Sequence, residues 1–333
     1  MISIAALAKA AKVSPATVTR VIHENGYVSN EKRAAVLQAI DELGYIPNQL
    51  ASKLRRGKSN YIGFVIPELS ENPFYTRFSN AFNKAAQNAE YQVLSVITHH
   101  SAEQEKQLVM SLVGMLVEAV VFMGTLLTPD IIKTLNEHNV PVVMIEFPTV
   151  VENTDMVMVD NYRAAMIALE HIIRRGHKKI AYVGVEPSDN IIAERLRAFN
   201  DGMNSNSLVV EDHHLCIMSD YGQESGRQAA CRLLDDGEPP TAILATSDVL
   251  ACGILQELYH RGLKVPDDIS LLGFDNTLSA LTAPTLTSME LLPDLIGEAA
   301  VNMVIEKTRK KRIGTKKEIF TPVLIDRGSV KKI

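Results

Sequence analysis

Beyond residue 60, short apolar segments alternate with longer amphipathic ones, and this alternation restricts the possible folds more than any other feature of the sequence. The apolar segments occupy residues 61–67, 91–97, 119–124, 140–146, 157–160, 179–185, 241–246 and 269–274. Segments that are apolar throughout are typical of strands buried on both faces, and helices between them indicate a parallel sheet. Two successive series of such units predict two similar α/β lobes. Because ligands bind such sheets beyond the carboxyl ends of the strands, we expect a ligand site in the cleft between the lobes.

The first 46 residues lack these apolar segments and carry helix signals instead. Predicted helices span residues 4–11, 15–23 and 31–43. Ser14 is placed to cap the second helix, Pro15 follows at the first helical position, where a missing N–H costs nothing, and Gly44 is placed to end the third. The succession of helix, short turn and helix predicts a helix-turn-helix, whose second helix lies in the major groove of DNA.

The charge is divided unevenly along the chain. Residues 1–58 contain nine Lys or Arg and four Asp or Glu, a formal charge of +5, whereas the whole chain carries −5, which leaves −10 on the rest. This asymmetry is typical of a polyanion-binding head on an acidic body. We assign a head to residues 1–46, a hinge helix or linker to 47–59, and a two-lobed body to 60–333.

The lobes are predicted to exchange segments near the end of the chain. The N-lobe is expected to comprise about 60–158 plus 291–317, and the C-lobe about 159–290 plus 318–333.

Several classes of site are disfavoured. Three cysteines without a C-x-x-C spacing argue against a disulfide framework and a zinc site. We interpret the pairs His99-His100 and His213-His214 as solvent-facing loop residues, because adjacent side chains diverge on regular elements.

Neither catalysis nor export is predicted. The sequence has no nucleophile elbow, metal cluster or dinucleotide fingerprint, so we expect neither an enzyme nor a cofactor. The first residues lack a basic segment followed by an apolar one, as a signal peptide requires. The longest apolar stretch, residues 113–124, is interrupted by Glu118 and is too short to span a bilayer. A cytoplasmic location without membrane contact is therefore expected.

Three blocks of the head resemble the LacI/GalR family of bacterial repressors. They are residues 13–22, 26–29 and 43–48. The resemblance implies that Pro15, Ala16 and Arg20 face the bases of double-stranded DNA. It also implies that the DNA backbone is contacted by Thr17, Thr19, Tyr27 and Ser29. The sequence departs from the family pattern at His23 and at Ala5-Ala6, which affects individual contacts but not the motif.

The hinge follows the same resemblance. A nine-residue helix is marginal in isolation, so the hinge helix is expected to form on DNA. The resemblance implies that it pairs with the hinge of a dimer mate in the minor groove, where Leu54 wedges into a base step and Ala51 lies on the approach face. The alternative is a basic linker in which Leu54 packs on the body.

The body also resembles this family, in residues 175–182, 246–253 and 265–276. The resemblance implies a periplasmic-binding-protein-like fold, so that the chain is an all-α helix-turn-helix head with a hinge helix, joined to an α/β two-lobed effector domain. It implies ligand contacts by Asp275 and by Arg195, with Arg197 as the competing choice. Positions at strand ends and helix starts add further effector candidates: Asn72, Phe74, Glu146, Tyr221, Ser247 and Asp248.

These candidates predict an effector-controlled repressor that acts as a homodimer on a palindromic operator. With three carboxylates against one or two arginines, a neutral polyhydroxylated effector such as a sugar is favoured over a phosphorylated one. A sugar-binding receptor and a cytosolic enzyme are the alternatives from other classes. A further alternative is a catabolite-type regulator, in which a phosphoprotein docks on the basic residues 307–317.

Overall fold

The computed structural model describes residues 2–45, 59–68, 73–99, 101–124, 127–146, 154–186 and 190–333. The chain divides into two compact units, Met1–Ser59 and Asn60–Ile333. Within the described residues, no helix combines the length and the apolar character needed to cross a membrane.

The first unit contains the predicted three-helix head. Its helices are α1, Ile4–Ala10; α2, Pro15–Ile22; and α3, Asn30–Leu43. The hydroxyl of Ser14 accepts a hydrogen bond from the Thr17 amide at 3.2 Å and so caps α2, as predicted. Gly44 ends α3 in the left-handed conformation, with φ of 60°.

The core of the head joins all three helices. Leu7 of α1, Val18 of α2 and Val36 of α3 are completely buried and belong to one apolar cluster. Helical spacing brings one apolar face of each short helix to this cluster, and none of these helices is long enough to be stable alone. The opposite face of α2 therefore stays available to solvent.

The first sheet of the second unit has six parallel strands. These are β1, Tyr61–Ile66; β2, Gln92–Ile97; β3, Ala119–Met123; β4, Val142–Ile145; β5, Asp155–Val159; and β11, Lys317–Phe320. Their spatial order is β11-β5-β4-β3-β1-β2. The helices of this lobe are α4, Pro73–Asn88; α5, Ala102–Gly114; α6, Pro129–Glu137; and α11, Pro293–Thr308.

The second sheet repeats the arrangement. Its strands are β6, Ile180–Val185; β7, Leu215–Met218; β8, Ala242–Ala245; β9, Ser270–Phe274; β10, Thr287–Glu290; and β12, Val323–Ile325. Their order is β12-β10-β9-β8-β6-β7, and only β12 is antiparallel to its neighbour. The helices are α7, Asn161–Ile173; α8, Asn190–Ser205; α9, Gln223–Asp235; and α10, Asp248–His260, with a 3-10 turn at Asp212–His214.

The chain crosses between the lobes three times, after β5, after β10 and after β11. The third crossing was predicted at about residue 317. Lys317 pairs with Met156, so β11 still belongs to the first sheet and the chain leaves it only after Phe320. The predicted two-lobed, mainly parallel fold is confirmed, and it brings the carboxyl ends of both sheets to one cleft.

Close helix packing holds the second lobe together. An ideal Cβ at Gly253 of α10 would lie 1.9 Å from the carbonyl oxygen of Gln223 in α9, and one at Gly226 of α9 would lie 2.2 Å from that of Leu250. The two backbones are therefore in direct contact, which a side chain at either glycine would prevent.

Candidate functional site

The start of α2 presents the predicted base-reading residues to solvent. Pro15, Ala16 and Arg20 are all exposed, whereas Val18 and Val21 on the other side of the helix are buried. The packing of the head therefore leaves the Arg20 guanidinium free to reach outward. Such a group pairs bidentately with guanine, and the apolar surfaces of Pro15 and Ala16 suit thymine methyl groups.

The predicted backbone-contact residues surround this face. The Thr17 hydroxyl lies 2.9 Å from that of Ser14, and the Thr19 hydroxyl donates to the Pro15 carbonyl at 3.0 Å. Tyr27 is 91% exposed. Ser29 precedes α3, but its side chain makes no capping hydrogen bond. A hydroxyl next to the amide groups of a helix N-terminus is a suitable ligand for a phosphate.

A groove with a volume of about 510 Å³ runs beside the start of α2. Three lysines line it, Lys9, Lys12 and Lys32, together with Ser14 and Thr17. Ammonium groups and hydroxyls on a concave surface favour phosphate oxygens. These lysines were counted in the charge of the head but not singled out, because only the fold brings Lys32 of α3 next to Lys9 of α1.

Three predicted contact residues lie outside the residues that the structure describes. They are Ala51 and Leu54 of the hinge and Asn72 of the N-lobe. Their roles stay predictions.

In the cleft, Asp275 follows β9 and is the central group. Its carboxylate is nearly inaccessible, and its nearest cation is Nη1 of Arg195 at 3.9 Å. Within the described part of the chain, no hydrogen-bond donor reaches its carboxylate oxygens. Burial raises the pKa of Asp275 to about 7, although Arg195 lowers it in part. A buried carboxylate without donors is costly, so this group is suited to a ligand that supplies them.

Arg195, not Arg197, lies beside Asp275. Its Nε donates to Oδ1 of Asn161 and its Nη1 to the Thr246 carbonyl, both at 2.9 Å, and its guanidinium lies 4.1 Å from the ring centre of Phe274. These contacts hold it rigidly at the cleft. Arg197 is largely exposed and bonds Glu194 at 2.5 Å on its own helix.

Glu146 supports this arrangement from the end of β4. One of its oxygens accepts from Nδ2 of Asn161 at 2.9 Å, and the other accepts from the Val159 amide. A continuous hydrogen-bonded chain therefore leads from Glu146 through Asn161 to Arg195. Asn161, at the start of α7, is a residue that sequence reasoning missed, because a single asparagine at a helix start carries no distinctive pattern.

Asp248 and Ser247 are engaged in the fold itself. Oδ2 of Asp248 accepts hydrogen bonds from the amides of residues 277–279 at 2.7–2.9 Å, and Oδ1 accepts from Ser288 at 2.7 Å. The Ser247 hydroxyl caps α10 by accepting from the Leu250 amide. The geometry therefore assigns both side chains to positioning the loop after Asp275 and α10, in place of the predicted ligand contact.

Arg77 of α4 reaches across the cleft and was also missed. Its Nη1 donates to the carbonyls of Asp275 at 3.3 Å and Asn276 at 2.8 Å, and its Nη2 bonds Glu290 at 2.6 Å. Phe74 lies one turn earlier on α4 and so on the same face. It is half-buried against Phe78, with ring centres 4.7 Å apart.

Two tyrosines belong to the C-lobe side of the site. Tyr221, a predicted ligand residue, follows β7 and packs partly buried on the apolar cluster of that lobe. Tyr182 of β6 was missed, since a tyrosine in an apolar strand resembles any core residue. It is fully buried, and burial raises its pKa despite the nearby Arg195.

The basic segment 307–317 is the docking site that a catabolite-type regulator would use. Arg312 and Lys307 both face the buried carboxylate of Asp155. Arg309 donates to the Ala89 carbonyl at 3.0 Å and covers the ring of Tyr91. Much of the charge is therefore used inside the lobe, which disfavours a phosphoprotein docking surface.

Each of the two units matches a known protein family. Residues 3–48 match the model of bacterial regulatory proteins of the lacI family, and residues 169–330 match that of a periplasmic binding protein-like domain. The HTH-type transcriptional regulator DegA of Bacillus subtilis (strain 168) is 32% identical over 327 residues, 97% of this chain and 96% of its own length. Catabolite control protein A of Priestia megaterium is 32% identical over 311 residues, 92% of each chain. The lac repressor dimer bound to operator and the anti-inducer ONPF superposes with a TM-score of 0.85 at 24% identity, over 99% of both chains. The chain therefore belongs to the LacI family of bacterial regulatory proteins.

Proposed function

We propose that this protein is a homodimeric transcriptional repressor that binds a near-palindromic operator and is controlled by a sugar or sugar derivative held between its lobes. The observation that carries the effector part is the buried carboxylate of Asp275, which lacks a hydrogen-bond donor among the described residues. The observation that carries the DNA part is the exposed face of α2 beside a lysine-lined groove.

The head suits DNA in two ways. Arg20 supplies base recognition, and Lys9, Lys12 and Lys32 supply phosphate contacts around the same helix. Two heads of a dimer would present about twice the charge of one, so operator affinity should fall steeply with salt. A two-fold dimer requires an operator with matching symmetry.

The charges around the cleft favour a neutral ligand. Asp275, Glu146 and Glu290 outnumber the guanidiniums of Arg195 and Arg77, and Glu290 is already bonded to Arg77. A phosphorylated ligand would add negative charge to this group. Ligand hydroxyls would instead donate to Asp275 and accept from Arg195, which satisfies both buried groups.

Control of DNA binding would come through the position of the two lobes. Arg77 connects α4 of the N-lobe with Asn276 and Glu290 of the C-lobe. An effector that binds one arrangement of the lobes more tightly shifts the equilibrium towards it, and the coupling equals that difference in affinity. The hinge at 47–59 would pass the change to the heads by separating the paired hinge helices.

The test has two independent measurements. Selection of random DNA by the full-length protein should yield a near-palindromic sequence, and a lack of preference over random DNA would refute the repressor. A thermal-shift screen of sugars, sugar acids, nucleosides and their phosphates should identify a neutral polyol. Binding of that polyol should be lost in Asp275→Ala while Arg197→Ala retains it. A screen in which only phosphorylated compounds bind would contradict the neutral effector but leave the DNA result intact.

A further inference from the structure

A cluster of two histidines and a glutamate lies away from the cleft, in the turn before β7. Nitrogen atoms of His213 and His214 and a carboxylate oxygen of Glu211 all lie within 4.8 Å of one another. The two imidazole centres are 4.2 Å apart, and His214 is almost completely buried. The expectation that these adjacent histidines diverge into solvent is therefore wrong, because they lie on a 3-10 turn, not on a strand or an α-helix.

Both imidazoles point to the same place. Nε2 of His213 lies 3.2 Å from the carbonyl oxygen of Glu238, and Nε2 of His214 lies 3.0 Å from it. An oxygen of the Glu211 carboxylate is 3.5 Å from Nε2 of His213. Two imidazole nitrogens, a carboxylate oxygen and a carbonyl oxygen therefore converge within one small volume.

The loop before β8 leaves this volume open. Gly237 has φ of 89°, and an ideal Cβ there would lie only 3.1 Å from Nε2 of His213. The side chain of Glu238 is turned to Lys179, with which it forms an ion pair, so only its backbone oxygen faces the histidines. A glycine at position 237 thus provides both the backbone conformation and the space next to the imidazole.

We propose that Glu211, His213 and His214 bind a Zn²⁺ ion, with the Glu238 carbonyl as an additional oxygen ligand. Zn²⁺ accepts imidazole nitrogen and carboxylate oxygen in a four-coordinate shell, whereas Mg²⁺ and Ca²⁺ prefer oxygen alone. The ion joins the turn before β7 to the loop before β8, at the amino ends of the strands. This edge of the second sheet is opposite to the effector cleft, so the site is separate from the proposed effector site.

Isothermal titration of full-length protein without an affinity tag, freed of metal by a chelator, tests the proposal. One Zn²⁺ per chain is expected to bind, and Mg²⁺ is expected not to. Glu211→Gln and His213→Asn should each weaken Zn²⁺ binding at least about tenfold, since each removes one ligand. His260→Asn, an exposed histidine at the end of α10, is the matched control and should bind as the parent does. At a free Zn²⁺ concentration about 100 times the Kd, the melting temperature should rise by about 5 °C.

Two outcomes would overturn the proposal. One is parent protein that binds no Zn²⁺ or shows the same response to Mg²⁺. The other is Zn²⁺ binding of unchanged affinity and stoichiometry in both Glu211→Gln and His213→Asn, which would place the metal on other groups such as Cys231. Both substituted side chains are partly exposed, and circular dichroism of the metal-free variants verifies that they fold.

Discussion

Replacing Asp275 by asparagine should stabilise the protein above neutral pH while removing its response to effector. Asparagine has the shape of the protonated carboxyl and adopts the left-handed conformation of this position, where φ is 83°. Because burial opposes the charged form, the native carboxyl keeps its proton up to a pH of about 7. The variant is neutral at every pH and avoids the cost of ionising the buried group.

The size of the effect follows from the shift in pKa. The value is raised from 3.8 to about 7 in the folded protein. Between these values the native state binds one proton that the unfolded state has released, so stability of the parent falls as the pH rises through this range. At about 1.4 kcal/mol per pH unit, the full loss is about 4 kcal/mol, of which about 2 kcal/mol falls between pH 5 and pH 7. The advantage of the variant should grow by about 2 kcal/mol over this range and become constant only above about pH 8.

Urea denaturation of both proteins at pH 5, 6, 7 and 8 measures this difference. Asp235→Asn is the matched control, because bonding to Arg261 holds the pKa of Asp235 below its ordinary value. That variant should gain no stability as the pH rises. If Asp275→Asn is less stable than the parent at pH 8, or if its advantage does not change with pH, the carboxylate is satisfied in the free protein and the reasoning is refuted.

Three further predictions concern the effector, the second lobe and the head. Effector hydroxyls favour the ionised form of Asp275, so the Kd of the effector should fall by up to tenfold per pH unit as the pH rises from 5 to 7. Calorimetric titration with effector that shows no pH dependence of this Kd would contradict the prediction. Gly253→Ala should lose at least about 3 kcal/mol of unfolding free energy in a urea titration, because its Cβ would lie 1.9 Å from the Gln223 carbonyl oxygen. Gly114→Ala, which has open space around it, should be neutral or stabilising in the same titration. Arg20→Ala should lose about 1–3 kcal/mol of operator binding free energy and relax the base preference, whereas Lys9→Ala should weaken binding to operator and to random DNA alike. Equal changes in base preference for the two variants would argue against these different roles.

Features that depend on neighbouring residues were predicted well. The capping of α2 by Ser14 and the left-handed Gly44 are confirmed, because both involve atoms only a few residues apart. Ser29 shows the limit of such reasoning. A serine directly before a helix is a typical N-cap, yet the hydroxyl of Ser29 makes no capping hydrogen bond to α3.

The cleft shows what local patterns miss. Asp248 and Asp275 both follow buried strands, so the sequence indicated a ligand role for each. Only the folded structure separates them, because amides of residues 277–279 and the hydroxyl of Ser288 bond Asp248, whereas no described donor reaches Asp275. Arg77, on a helix about 200 residues before the groups it contacts, has no local signature at all.

By itself, the sequence determined the helix-turn-helix head, the two parallel α/β lobes and the family, because periodicity, capping and motif spacing are properties of short segments. The tertiary structure alone decided that Arg195 and not Arg197 lies in the cleft, that Asp275 is left without a donor among the described residues, and that His213 and His214 converge on one carbonyl. The physical reason is that burial and hydrogen-bond satisfaction depend on groups that are distant in the sequence and meet only when the chain folds.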